Sequence, residues 1–191
     1  YCVYKLAKEK NITVLLDGQG ADEIIAGYKK YAHWFLQQLF LANKKEFLKE
    51  KKLLKENNFL EEWDLKNYAA SYFPLKAATA LQQKAIRQQD SNNFISKDFL
   101  HQYQNKDVLQ KPIVKNLEDI LYYNTFNIGL EELLRYADRN SMAHSREVRL
   151  PFLNHQLVEF IFSLPSSYKI KNGFTKWILR ESMNAILPKE I

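Results

Sequence analysis

Two stretches of this sequence gather residue types that could do chemistry. The first is Asp17-Gly18-Gln19-Gly20-Ala21-Asp22-Glu23. Its glycines let the backbone approach a ligand closely, and free N–H groups at a helix start favour a phosphate or carboxylate. Asp22 and Glu23 add negative charge where that anion would sit. A magnesium ion bridging carboxylate to phosphate oxygens would reconcile the two. A tight turn after a strand, with Asp22 and Glu23 only complementing the helix dipole, accounts for the same residues, so the heptad alone leaves both readings open.

The second stretch runs Asp138-Arg139-Asn140-Ser141-Met142-Ala143-His144-Ser145-Arg146-Glu147-Val148-Arg149-Leu150-Pro151-Phe152-Leu153. Dense charge between apolar helices predicts burial with pairing. Glu147 and Arg149 would project from one side of an extended segment, and Arg139 and Arg149 would offer planar donors to a phosphate or carboxylate. A buried network of Asp138 and Glu147 with Arg139 and Arg149, serving only to lock a helix end, fits the residues as well.

Positioning these groups requires a definite order of elements. Tyr1 to Lys10 reads as a short helix. Ile12 to Leu16 is an apolar, β-branched run without polar alternation, which predicts a strand buried on both faces, as in a parallel sheet. Strand, glycine turn and a helix opening at Ala21 place ligands at the carboxyl end of that strand. Beyond Gly27-Tyr28 the pattern is mainly helical: Tyr31 to Ala42, Lys44 to Asn57, and Trp63 to Arg87 as two helices broken near Pro74. Ser91 to Gln110 is polar and reads as a loop with one short helical piece. Leu117 to Met142 predicts one long helix with Leu130, Leu133, Leu134, Ala137 and Ser141 on one face. An extended Glu147 to Leu153, a helix from His155 to Ser163, a turn around Lys169 to Phe174 and a last helix from Lys176 to Ile186 follow. One strand cannot make a sheet, so its partners are expected upstream, in a longer polypeptide of which a chain opening inside a helix would be an excerpt.

Composition narrows the class. A chain of 191 residues with 46% hydrophobic and 26% charged residues suits a folded domain and excludes bulk disorder, while five Gly and five Pro exclude a collagen-like or turn-dense chain. A single cysteine, Cys2, cannot form an internal disulfide, which makes a reducing compartment the default. No apolar run approaches a membrane span. The net charge of +6 draws on Lys44-Lys45, Lys49, Lys51-Lys52 and Lys55, which alternate with Glu46, Glu50 and Glu56. That is a solvated helix face, so no nucleic-acid partner is expected. His33, His101, His144 and His155 lack ligand spacing and give no zinc site; His144 reads as a surface or capping residue. Trp34, Trp63 and Trp177 read as core anchors.

Leu15-Leu16-Asp17-Gly18-Gln19-Gly20-Ala21-Asp22-Glu23 with Gly27-Tyr28 resembles the second nucleotide-site motif of glutamine-hydrolysing asparagine synthetases. Asp138-Arg139-x-Ser141-Met142-Ala143, followed by Glu147-x-Arg149-x-Pro151-Phe152-Leu153, resembles a second motif of that family. Gly173-x-x-Lys176-x-x-Leu179-Arg180-Glu181 with Leu187-Pro188-x-x-Ile191 resembles a third. The three stand in the family's order and span nearly the whole chain.

The resemblance implies part of an α/β, ATP-pyrophosphatase-like (adenine nucleotide alpha hydrolase-like) synthetase domain, predominantly α-helical with few strands over this stretch. Residues 1–30 would end the nucleotide-binding α/β core and residues 31–191 would form a mainly helical remainder. The N-terminal glutaminase domain and the first ATP-binding loop, S-G-G-x-D-S, are not in this sequence, so the excerpt alone would be inactive. The implied reaction activates aspartate with ATP and Mg²⁺ as β-aspartyl-AMP, which ammonia from glutamine converts to asparagine. By the same resemblance Asp17, Gly18 and Gly20 would line the nucleotide, with Arg139 a further candidate, and Asp22 would hold Mg²⁺. Gln19, Glu147 and Arg149 would be the candidates for catalysis or substrate positioning. Lys176 and Arg180 match family positions without an assignable role. Asp17 stands where serine is commoner, Asn154 where aspartate is frequent, and Gln19 where many members have an acid; an amide cannot ionise. The implied partners are aspartate, ammonia and the chain's own glutaminase domain, with a homodimer as an option, in the cytoplasm. A relative that closes a β-lactam or amidates a peptide or sugar would share the chemistry, and a plain helical interaction domain would use the motifs for packing alone.

Overall fold

The computed structural model describes residues 1–90, 96, 98–99, 102 and 114–188, the side chains of 85–90 excepted. Most of the polar stretch from Ser91 to Gln110, and Ile191 of the third motif, lie outside the described residues. Helix α1 (Cys2–Glu9) leads to β1 (Val14–Leu16), and α2 (Ala21–Ile24) opens after the glycine turn. Then come α3 (Tyr31–Ala42), α4 (Lys44–Glu56), α5 (Leu65–Tyr72) and α6 (Pro74–Asp90). Their boundaries have local causes. The Asn43 side-chain oxygen accepts from the N–H groups of Lys45 and Glu46 at 3.1 Å each, and Asp64 caps α5 through Lys66 and Asn67. Pro74 opens α6 at a position where its missing N–H is not needed.

The expected single helix from Leu117 to Met142 is two, α7 (Leu117–Phe126) and α8 (Leu130–Met142). Gly129 sits between them with φ +114°, a conformation that ends one helix and re-aims the next. The main core gathers Tyr31, Ala32, Phe35 and Leu36 of α3, Phe47 and Leu54 of α4, and Leu117 and Leu121 of α7. Trp34 and Trp63 pack against it.

β1 finds a partner downstream, which the sequence did not suggest: it pairs in parallel with β2 (Glu147–Arg149), Val14 opposite Glu147 and Leu16 opposite Arg149. Nor is β1 buried on both faces. Leu16 is 77% and Val14 39% exposed, because among the described residues β2 is the one strand beside it. A 3₁₀ turn (Pro151–Leu153), α9 (His155–Ser163) and α10 (Ser166–Lys169) follow. The expected turn near Gly173 is a hairpin of β3 (Ile170–Lys171) and β4 (Phe174–Thr175). Asn172 and Gly173 carry φ of +50° and +75°, as a two-residue hairpin turn requires. Helix α11 (Trp177–Met183) closes the order. A second apolar cluster joins Ile24 and Ile25 to Ile161, with Phe152, Ile178 and Leu179 against it. It ties α2, the 3₁₀ turn, α9 and α11, so all three motifs share one small core. Among the described residues no helix is long and apolar enough to cross a membrane.

Candidate functional site

The first motif continues the sheet by one bond, Asp17 N–H donating to the Arg149 carbonyl at 3.0 Å, and then turns away. Its two glycines differ in what they do. A Cβ on Gly20 would lie 2.2 Å from Leu153 Cδ2, so this glycine lets the first and second motifs interlock. A Cβ on Gly18 would meet nothing within 4 Å, and this glycine faces open space. That space is a hollow of about 240 Å³ lined by Asp17, Gly18, Gln19, Gly20, Asp22, Glu23, Tyr28 and, from α8, Leu133.

Charge in and behind the hollow is arranged in two pairs. Asp22 Oδ1 meets Lys176 Nζ at 2.8 Å, both side chains about one-third exposed. Gly27 makes room for that pair: a Cβ there would lie 1.8 Å from Asp22 Oδ1 and 2.4 Å from Lys176 Cε. Glu23, buried, accepts from the Tyr28 hydroxyl at 2.6 Å. Burial, then the bond to Glu23, pushes the Tyr28 hydroxyl well above its usual range. Tyr31, buried one turn further on, is pushed up to about 12 by burial, against which Asn124 Nδ2 donates to its oxygen at 2.8 Å. The Lys30 ammonium lies 5.2 and 5.3 Å from the centres of the Tyr28 and Tyr31 rings. Gln19 Oε1 is buried without a hydrogen-bond partner, which marks a place where a donor is wanted.

Of the residues singled out by sequence, the hollow assembles Asp17, Gly18, Gln19, Gly20 and Asp22 and does not include Arg139, Glu147 or Arg149. Glu147 and Arg149 do project together, Arg149 Nε donating to Glu147 Oε1 at 2.7 Å. Yet their side chains are 53% and 65% exposed, so the expected buried network is not formed. The reason lies in α8, where Ala137 and Ser141 face inward and Asp138 and Arg139 consequently face out. His144, expected as a surface or capping residue, is not at the surface: it is buried at 7% exposure with its ring 4.4 Å from that of Tyr1. Arg180 does not point to the hollow; its Nε donates to the Thr175 carbonyl at 2.9 Å and its guanidinium stacks 5.3 Å from the Phe174 ring.

Glu23, read with Asp22 as an acidic pair, lines the hollow, and Tyr28, Leu133 and Lys176 join the site without having been assigned to it. Lys176 was quoted in the third motif, but only the fold reveals that its amine reaches the first. Each motif also holds one residue in the left-handed region that is neither glycine nor asparagine: Ala26 (φ +59°), Ser145 (φ +54°) and Lys176 (φ +54°).

Among the described residues no group of three or more His, Cys, Asp and Glu could hold a metal ion. The donor set at the hollow nonetheless fits magnesium carried by a nucleotide, which takes one or two protein carboxylates and completes its shell with phosphates and water. Asp22 is a carboxylate of that kind, with one of its oxygens on Lys176.

The family model described as asparagine synthase matches residues 1–191. Asparagine synthetase (glutamine-hydrolyzing) 1 of Bacillus subtilis (strain 168) is 25% identical over 209 residues, covering 99% of this chain and 31% of that protein. Asparagine synthetase (glutamine-hydrolyzing) 3 of the same organism is 25% identical over 189 residues, covering 96% and 25%. The Gallus gallus asparagine synthetase is 46% identical over 65 residues, 32% of this chain and 11% of its own. The chain thus spans about a third or less of the length of these relatives. No solved structure matches it.

Proposed function

The chain belongs to the asparagine synthase family, an ATP-pyrophosphatase-like family, and from that premise we propose that it is the C-terminal portion of a synthetase domain that amidates aspartate at the expense of ATP. In this reading residues 1–30 finish the nucleotide-binding α/β core, residues 31–191 form its helical remainder, and a glutaminase domain elsewhere in the polypeptide supplies ammonia, in the cytoplasm. The observation that carries it is the hollow at the carboxyl end of β1, where Asp17, Gly18 and Gln19 sit beside Asp22.

Asp17 and Gly18 stand on the nucleoside side, where the absence of a side chain at Gly18 admits a ligand against the backbone. Asp22 is the residue to hold Mg²⁺, and bound Mg²⁺ would offset the charge gathering on pyrophosphate as it leaves. Lys176 contributes a positive charge at the same point, its amine on Asp22, and so keeps an anionic ligand compatible with the carboxylates. The carboxylate oxygen of aspartate attacks the α-phosphorus of ATP, and pyrophosphate departs. Ammonia then displaces AMP from the acyl carbon, leaving the amide. Gln19 orients a reacting group by hydrogen bonding and takes no proton. Glu147, Arg149 and Arg139 lie outside the hollow in this chain and act, in this proposal, on the acceptor or on the architecture around it.

The test uses the full polypeptide that carries this chain. Aspartate-dependent exchange of pyrophosphate into ATP, and asparagine formed from aspartate, glutamine and ATP, are the expected results. Exchange with a different carboxylate and none with aspartate would favour the related amide-forming reading, which the amide at Gln19 supports. Absence of exchange with any carboxylate would overturn both.

A further inference from the structure

The carboxylate of Glu50 is buried at 1% exposure on α4, outside the lining of the hollow and in a helix otherwise rich in solvated lysines. Both of its oxygens are used. Oε1 accepts the N–H of Asn172 at 2.8 Å and Oε2 accepts the N–H of Gly173 at 2.9 Å. Asn57 Nδ2 donates to the Gly173 carbonyl at 3.0 Å, and Leu53 packs so closely that a Cβ on Gly173 would lie 2.5 Å from its Cβ. Glu50, Leu53 and Asn57 recur at helical spacing on one face, so successive turns of α4 form a seat for the hairpin turn.

An Asn-Gly pair forms a two-residue hairpin turn by its own preference. A buried carboxylate is costly unless fully hydrogen-bonded, so its presence calls for more than making the turn. What the seat adds is location. The hairpin is short, its second strand ends at Thr175, and the next residue is Lys176, held in the left-handed region at φ +54° with its amine on Asp22. Left-handed non-glycine backbone persists where its surroundings over-determine it. Thr175 is fixed in turn by Arg180, whose Nε donates to its carbonyl.

We infer that Glu50 is a positioning residue of the nucleotide site: by holding the Asn172–Gly173 turn with both oxygens it sets the hairpin that delivers Lys176 to Asp22. The functional half of this inference rests on the reading proposed above; the positional half does not.

The experiment takes the full polypeptide with Glu50→Gln, which keeps the shape but turns an amide N–H toward a backbone N–H, and with Asn57→Ala, a milder release of the same turn. Trace acylation of Lys176, read by mass spectrometry on folded protein, is expected to quicken about 3-fold or more in Glu50→Gln and less in Asn57→Ala. Unchanged Lys176 labelling in both variants overturns the inference. Carboxylate-dependent ATP–pyrophosphate exchange is expected to lose about 5-fold or more in kcat/KM for MgATP in Glu50→Gln. In a Lys176→Met background the same substitution should cost less than about 2-fold, because the two act in one chain. Effects that instead multiply would show a general structural role and overturn the functional half. If Glu50→Gln does not fold, Asn57→Ala carries both readouts. Faster labelling in a polypeptide whose wild type shows no exchange would sink the proposed function while leaving the positional assignment standing.

Discussion

Gly27 is where one methyl group would bear most directly on the Asp22–Lys176 pair. Its hydrogen faces Asp22 Oδ1 and Lys176 Cε, so Gly27→Ala must part the ion pair or displace α2. Exchange activity of the full polypeptide is expected to fall at least about 10-fold; activity within 2-fold of wild type, about 0.4 kcal/mol, would contradict this placement. The tyrosines behind the hollow give a pH signature. Tyr31 titrates near 12 in the folded chain against about 10 when unfolded, so the protonated form is what folding stabilises. That contribution is complete below pH 10 and is lost as pH rises toward 12, and Tyr31→Phe should flatten that part of a stability–pH profile followed by circular dichroism. At this scale the sequence was informative for residues near one another in the chain. Asp17 to Asp22 could be read as one unit because a single turn contains them. The pairing of Lys176 with Asp22 could not, because only folding brings the third motif onto the first. The burial of His144 was illegible for a similar reason: one of the rings against it is that of Tyr1, from the far end of the chain.

Helices and turns were legible where a side chain acts on its own backbone. Asn43 before α4 and Pro74 at the head of α6 mark their boundaries by mechanisms that need no tertiary contact. Asn43→Ala leaves two N–H groups of α4 without their acceptor and is expected to lower stability by about 1 kcal/mol in denaturant unfolding, without altering exchange kinetics. The break between α7 and α8 was missed because apolar spacing continues through Asn127–Gly129, and periodicity alone does not register a change in axis. The strands were hardest. β2 is three residues long and β3 two, lengths at which alternation carries almost no signal, and the parallel match of Glu147–Arg149 to Val14–Leu16 links distant segments. The expectation that charge there would be buried failed for a physical reason, since exposed β2 side chains pair with each other while water solvates both.

Across the molecule helices predominate, and among the described residues β1 pairs with β2 alone, which leaves the parallel ribbon with an open edge. Parallel pairs are ordinarily covered on both faces, yet Leu16 is 77% exposed and Ile12 48%. An apolar open edge is a template for further pairing. The 191-residue chain prepared alone is therefore expected to bind a hydrophobic dye and to self-associate in sedimentation velocity, and Leu16→Lys should reduce both; a dye-silent monomer would contradict this.

Ala26, Ser145 and Lys176 carry a last consequence. Each holds a backbone angle that glycine would adopt more easily, one per motif. Replacing them with glycine removes local tension, and a search for heat-tolerant variants guided by melting temperature alone would tend to accept such changes. The hardier proteins so selected would have slackened the springs that hold the three segments in mutual alignment, and their gain in endurance should be accompanied by a decline in turnover.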